Sequence, residues 1–275
     1  MYPYLQTLTD ILDGSSIAAL RVLLSRGPAR ARQVIGETLR AAPREATHVI
    51  GATDLLRAFP MEQDVVVHGS GWHTNSIAPL ERYIIGHLIK FLKPRKLLEV
   101  GTFEGHTTRL MLENASVDCQ IATIDLERED GRVGIGFADH PRQNAIVQVL
   151  GNTFEEATWN SIDCVDFCFI DAAHSYQAVQ NDTEKVRRVL AENGVIVWHD
   201  YTSSAGNKTF AVGRYIRDQM KSHDSIFVCA HTTLAIHIPV PMLLEGEARI
   251  ARFYDEEVLR ERHPDGPFHW LHKRF

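Results

Sequence analysis

Four cysteines in 275 residues are too few to staple a secreted scaffold of this length. Cys164 and Cys168 fall in the strand-like run Ile162 to Ile170, whose even spacing puts both on one face. Small core residues are the expectation there, not a redox pair or half a zinc site. Long apolar runs are missing as well, since none reaches the roughly 18 residues that would span a bilayer. The start, Met1-Tyr2-Pro3-Tyr4-Leu5-Gln6-Thr7, lacks the charged opening and apolar block of a signal peptide. Nor is there an excess of basic charge: 29 Lys and Arg face 35 Asp and Glu, for a formal charge of −6. The densest basic clusters are Lys93 to Lys96, ahead of an apolar run, and His272-Lys273-Arg274. A nucleic-acid binder shows a basic stripe, so the expectation is a cytoplasmic protein with neither nucleic acid nor membrane as partner. No internal repeat or low-complexity tract occurs.

What is present is an ordinary globular balance, 44% hydrophobic and 23% charged. Residues 1–70 read as a helical segment, a cap or dimerisation arm through which a homo-oligomer could form. Helix candidates there run from Ser15 to Leu24, Ala29 to Ala42 and Ala46 to Phe59. Val65 to Val67 reads as a short β run before a loop carrying Trp72 and His73. Ile77 to Leu92 is an amphipathic helix stopped by Pro94. From Lys96 onward strands and helices alternate. Strands are expected at Lys96–Val100, Gln120–Leu126, Ala145–Leu150, Val165–Ile170 and Val195–Trp198, with helices at Gly105–Asn114, Tyr176–Glu192 and Phe210–Lys221. Near-continuous apolar strands separated by helices predict a mostly parallel sheet covered on both faces. Ser225–Cys229 and Leu234–Ile238 lie too close for a crossover helix and should form an antiparallel hairpin. Residues 71–240 make the main domain, and 241–275 a charged tail packing on it, with a helix around Glu256 to Arg262.

Ligands of open α/β sheets sit beyond the carboxyl ends of the strands. The first strand ends Leu98-Glu99-Val100-Gly101-Thr102-Phe103-Glu104-Gly105. With Phe at 103 the dinucleotide fingerprint fails, and an acid-x-Gly-x-x-x-Gly pattern is left. Gly101 lets the backbone turn tightly against a ligand and Gly105 opens the helix without a Cβ in the way. A branched side chain at 101 would then block the ligand and leave the fold intact. The second strand ends at Asp125, whose carboxylate can accept both hydroxyls of a ribose. The fourth ends Asp171-Ala172-Ala173-His174 and the fifth His199-Asp200. Parallel strands bring these two carboxylates and two imidazoles to one edge, and a carboxylate behind so apolar a run needs a cation or donors nearby.

This constellation resembles the class I S-adenosylmethionine-dependent methyltransferases. The pairing of Ile170-Asp171-Ala172-Ala173-His174-Ser175-Tyr176 with Val197-Trp198-His199-Asp200-Tyr201 is similar to the metal-dependent O-methyltransferase branch, which includes macrolide-sugar and catechol O-methyltransferases. The resemblance covers about residues 73 to 240 and implies a Rossmann-like methyltransferase sheet. It places Glu99 and Gly101 beside the methionine part of the cofactor and Asp125 at its ribose, with Thr102, Phe103, Gly105 and Leu126 also binding the cofactor. Gly151-Asn152-Thr153 would lie near adenine, with Asp171 also at the cofactor. It makes Asp171, His199 and Asp200 metal ligands and His174 the general base. The Lys that serves as base in the catechol-type members is absent, and His199 stands where the branch has an acid. Mg²⁺ prefers oxygen donors and imidazole suits Zn²⁺, Mn²⁺ or iron; Mg²⁺ leads, with Mn²⁺ or Zn²⁺ as alternatives.

The function so implied is metal-assisted O-methylation of a hydroxylated small molecule, a sugar-bearing or phenolic metabolite such as natural-product modification uses. The enzyme must align the acceptor oxygen with the methyl group and remove its proton. Two other readings compete. One is a metal-independent N- or O-methyltransferase whose Asp171 and Asp200 bind substrate alone. The other is a cofactor-binding protein without chemistry that works through its N-terminal segment.

Overall fold

The computed structural model describes residues 49–61, 63–67, 77–201, 211–223 and 225–253. Eight strands form one sheet: β1 (Val49–Ile50), β2 (Lys96–Val100), β3 (Gln120–Asp125), β4 (Ile146–Leu150), β5 (Val165–Ile170), β6 (Leu190–Trp198), β7 (Ile226–Cys229) and β8 (Ala235–His237). Their order across the sheet is β1-β7-β8-β6-β5-β2-β3-β4. Five of the strand pairs are parallel, and β8 runs antiparallel to both β6 and β7. The hairpin expected from the short spacing is therefore present, with its second strand inserted between the first and β6.

Helices α1 (Ala52–Ala58), α2 (Pro79–Leu92), α3 (His106–Asn114), α4 (Tyr176–Val189), α5 (Val212–Met220) and α6 (Val240–Phe253) cover the sheet. Alternation along β5 shows why two layers are needed. Phe167 and Phe169 join a core with Ile84, Leu88 and Met111 of α2 and α3. Cys168 and Ile170 point the other way, toward Val179 and Val186 of α4 and Ile216 of α5. Both faces are apolar, so both must be covered.

Several expectations are corrected. Cys164 is exposed and precedes β5, so only Cys168 of that pair is a core residue. Val65 to Val67 forms no strand. The backbone of Val66 instead pairs with the amide of Asn114, donating to Oδ1 and accepting from Nδ2 at 2.9 Å each. The helix expected from Ala46 begins at Ala52, behind the edge strand β1. The helix expected to reach Glu192 ends at Val189, because Leu190 pairs with Val165 and starts β6. A bulge follows before Phe167 meets Val195. The helix candidates at 15–24, 29–42 and 256–262, together with Trp72 and His73, lie outside the described residues. α6 packs on α1, where Arg249 donates to the Ala58 carbonyl at 2.9 Å.

Candidate active site

β2 ends in a turn whose backbone reverses over the neighbouring strand. Gly101 has φ +100°, and a Cβ on it would lie 2.1 Å from the carbonyl oxygen of Asp171. At Gly105, φ is +82° and a Cβ would meet the Phe137 ring at 2.5 Å. Both glycines are thus demanded by packing whether or not a ligand binds. The expectation that a branched residue at 101 leaves the fold intact is corrected by that contact with Asp171. The turn and the start of α3 form a cleft lined by Gly101 to Thr107, with Ile77, Arg82, Leu110 and Asp171. The first amide groups of α3 have no acceptor within the helix and favour an anion.

Glu99 lies beneath this turn, fully buried and outside the cleft lining. Thr123 donates to its Oε2 at 3.0 Å, Thr108 donates to the same oxygen, and Oε1 has no partner. Burial pushes its pKa up to about 8, against the pull of the two threonines. Thr102 turns its hydroxyl inward to Thr123, 2.5 Å away, so only the rest of the residue lines the cleft.

Asp125 ends β3 beside the turn. Its Oδ2 accepts from the Phe103 amide at 2.6 Å and its Oδ1 from the Leu126 amide at 2.7 Å. Lone pairs remain on both oxygens. Gly151 docks on the Asp125 carbonyl at 2.8 Å, which sets the loop after β4 next to this acid. Within that loop, Asn152 caps the Phe154 amide and the Thr153 carbonyl accepts from Trp159 and Asn181. Asn152 and Thr153 are held by their own loop and are not among the cleft-lining residues. The Leu126 side chain is exposed.

The ends of β5 and β6 bring Asp171, His174 and Asp200 together, with one ligand atom from each within 4.8 Å of the others. His174 Nε2 is 2.8 Å from Asp200 Oδ2 and 3.6 Å from Asp171 Oδ1. His199 Nδ1 is 3.3 Å from Asp171 Oδ1 and 3.5 Å from Asp200 Oδ1. On the other side of its ring, Nε2 faces Glu81 Oε2 at 3.3 Å. Asp171 and Asp200 raise the His174 pKa to about 9, more than burial lowers it. Burial opposes charge on His199, but Asp171, Asp200 and Glu81 outweigh it and push its pKa up to about 12. In turn the two histidines hold Asp171 below, and Asp200 well below, the carboxylate range despite burial. Asp200 has φ +61° and Phe103 φ +46°, left-handed conformations that cost energy and cluster at functional sites.

Sequence reading missed Glu81. It sits at the start of α2, buried, where it accepts from the Ala78 amide at 2.8 Å, as a helix-capping glutamate does. Its other oxygen takes the Thr233 amide at 2.6 Å and hydroxyl at 2.8 Å. The capping position was legible in the sequence; its reach to His199 depends on tertiary packing. Thr108 and Thr123 were likewise passed over, although Thr123 sits on β3 directly opposite Glu99 in register.

The residues present fit both groups the fold implies. For a zwitterionic cofactor the cleft offers the N-terminal end of α3 at one side and Asp171 at the other. For a cation, Asp171, His174 and Asp200 bring one ligand atom each within 4.8 Å of the others, and His199 Nδ1 faces both carboxylates. Metal bonds of about 2.0–2.2 Å place neighbouring ligand atoms roughly 3 to 3.5 Å apart, and His199 Nδ1 lies 3.3 and 3.5 Å from the two aspartates.

A family model described as a methyltransferase domain matches residues 98–201. By sequence the chain is similar to a probable caffeoyl-CoA O-methyltransferase of Arabidopsis thaliana, 24% identical over 158 residues, 51% of this chain and 65% of that protein. An uncharacterized protein of Acanthamoeba polyphaga mimivirus is 28% identical over 113 residues, 38% of this chain and 50% of that one. The chain thus spans between half and two thirds of the length of these relatives. Among solved structures it is similar to cofactor-bound Rv0187 from MTB, with a TM-score of 0.51 at 15% identity over 77% of this chain and 97% of that one. A candidate O-methyltransferase from Klebsiella pneumoniae gives 0.50 at 14%, over 69% and 88%. These likenesses show the fold, a Rossmann-like methyltransferase sheet. No helix among the described residues is long and apolar enough to cross a membrane.

Proposed function

We propose that this chain is an S-adenosylmethionine-dependent O-methyltransferase acting on a hydroxylated small molecule, with a divalent cation at Asp171, His199 and Asp200. One observation carries the reading: Asp171 both lines the cleft and belongs to the acid–histidine cluster. A methyl donor in the cleft and an acceptor at the cluster would meet over this one carboxylate. The printed name of the Arabidopsis relative, an O-methyltransferase of caffeoyl-CoA, supports a phenolic acceptor. A hydroxylated sugar remains within the same chemistry.

The cofactor supplies an electrophilic methyl group, and a divalent cation lowers the pKa of a neighbouring hydroxyl. The chain's own residues do the rest. The amides at the start of α3 receive the carboxylate of the amino-acid portion, Asp171 its ammonium, and Asp125 the ribose hydroxyls. His174 Nε2 takes the acceptor proton, for which it must be neutral. Paired only with Asp171 and Asp200 its pKa lies near 9, so positive charge on those carboxylates is what readies the base.

Calorimetric titration with S-adenosylhomocysteine tests the binding half. Asp125→Ala should weaken binding tenfold or more, at roughly 1.5–3 kcal/mol for each charge-assisted bond lost; equal affinity in parent and variant would overturn the assignment. A screen of hydroxylated acceptors, with and without EDTA, tests the chemistry. A second, metal-independent reading has one contact in its favour, the direct 2.8 Å pairing of His174 with Asp200. Full methyl transfer in EDTA would establish it.

A further inference from the structure

We infer that Glu81 is a positioning residue that fixes the tautomer of His199, so that the cluster holds a first-row transition ion through imidazole nitrogen instead of Mg²⁺ through oxygens alone. This rests on the proposed cation at Asp171 and Asp200. The two ring nitrogens of His199 face different partners. Nε2 is 3.3 Å from Glu81 Oε2, and Nδ1 lies between Asp171 Oδ1 and Asp200 Oδ1. A carboxylate can only accept, so Glu81 selects the tautomer with hydrogen on Nε2. Without a cation the ring is held charged by Asp171, Asp200 and Glu81; a cation between the aspartates displaces the Nδ1 proton and meets its lone pair. Nδ1 is buried and lies 3.3 and 3.5 Å from the two carboxylates, with no well-aligned hydrogen bond to either. Such spacing suits ligands around a shared ion better than a donated proton, which draws its partner closer and into line.

Glu81 cannot easily turn away. Its Oε1 takes the Thr233 amide and hydroxyl, and its Oε2 takes the Ala78 amide. Three N–H or O–H donors, two from Thr233 and one from the N-cap of its own helix, thus clamp the carboxylate against the ring. Metal-bound histidines commonly donate their second N–H to a carboxylate held in this way. An imidazole beside two carboxylates favours Mn²⁺, Fe²⁺, Co²⁺ or Zn²⁺, whereas Mg²⁺ asks for oxygens and waters.

The test uses the full chain, stripped with chelator and titrated with Co²⁺, Zn²⁺ and Mg²⁺. In the Zn²⁺-loaded parent, two-bond ¹H–¹⁵N spectra should show His199 protonated at Nε2, with Nδ1 shifted on loading. Glu81→Gln should weaken Co²⁺ binding 10- to 100-fold and alter its visible absorption, with S-adenosylhomocysteine affinity unchanged. Should that variant fail to fold, the parent spectra still decide. The double variant Glu81→Gln with His199→Glu lets an amide donate to a carboxylate, and should bind metal again with the Co²⁺-to-Mg²⁺ preference lowered at least tenfold. A His199 Nδ1 unmoved by Zn²⁺, or a preference unchanged in the double variant, would overturn the inference. Loss of S-adenosylhomocysteine binding in the parent would instead strike the methyltransferase reading and leave the metal result standing.

Discussion

Gly101 and Glu99 show how much a single position carries at this site. The Cβ that Gly101 lacks would sit 2.1 Å from the Asp171 carbonyl oxygen, at a φ that L residues avoid. Gly101→Ala should therefore cost at least about 2 kcal/mol and displace Asp171 from the cluster. Urea unfolding is the measurement, and a midpoint equal to the parent's would show that the strand ends can part cheaply. Glu99 presents the opposite case, a charge-capable group kept largely neutral by burial. Its folded pKa near 8 lies above the unfolded value of 4.5. The folded state keeps a proton that the unfolded chain releases, so stability falls as pH rises from 4.5 to 8 and levels off beyond. Glu99→Gln mimics the protonated acid and should flatten that slope in thermal melts between pH 5 and 8. A slope as steep in the variant as in the parent would locate the titration elsewhere.

At the scale of elements, legibility followed the range of the interactions. β2, β5 and the amphipathic α2 were readable because their apolar periodicity is local. The strand over Val195 to Trp198 was readable too, but the first residues of β6 were not, since they are good helix formers that pairing with Val165 holds extended. Nor was the insertion of β8 between β6 and β7, because sequence spacing shows that two strands turn back but not which neighbour takes the second. That insertion buries much of His237, whose Nδ1 meets Ser225 Oγ at 2.9 Å. Burial, with Arg187 and His223 nearby, lowers its pKa to about 4. The fold holds the neutral ring. Above pH 6.5 the group contributes no slope; as pH falls from 6.5 toward 4 the unfolded chain gains a proton that the folded chain refuses. Stability should drop over that window by at most roughly 3 kcal/mol. His237→Gln should remove most of the drop, read as urea midpoints at pH 7 and pH 4.5.

Across the whole molecule, parallel strand order sets the carboxyl ends of β2, β3, β5 and β6 on one edge. The acids at 125, 171 and 200 were legible there as strand-end residues, but Glu81 was not, since it arrives from a helix that precedes the sheet's first core strand. One consequence of the shared edge is that Asp171 both lines the cleft and belongs to the cluster. Two ligands that each bring positive charge to one carboxylate must compete for it. Cation binding should therefore weaken S-adenosylmethionine binding, and by linkage the methyl donor should weaken cation binding by the same factor. S-adenosylhomocysteine lacks the sulfonium charge, so its coupling to the cation should be smaller. Couplings between sites are typically about 5- to 150-fold, and Asp171→Asn should reduce this one toward unity. Calorimetry of each adenosyl ligand with and without Co²⁺ gives both factors. Equal coupling for donor and product would mean that the sulfonium lies beyond the reach of Asp171, and that the cleft holds its ligand with the methyl group turned away from the cluster.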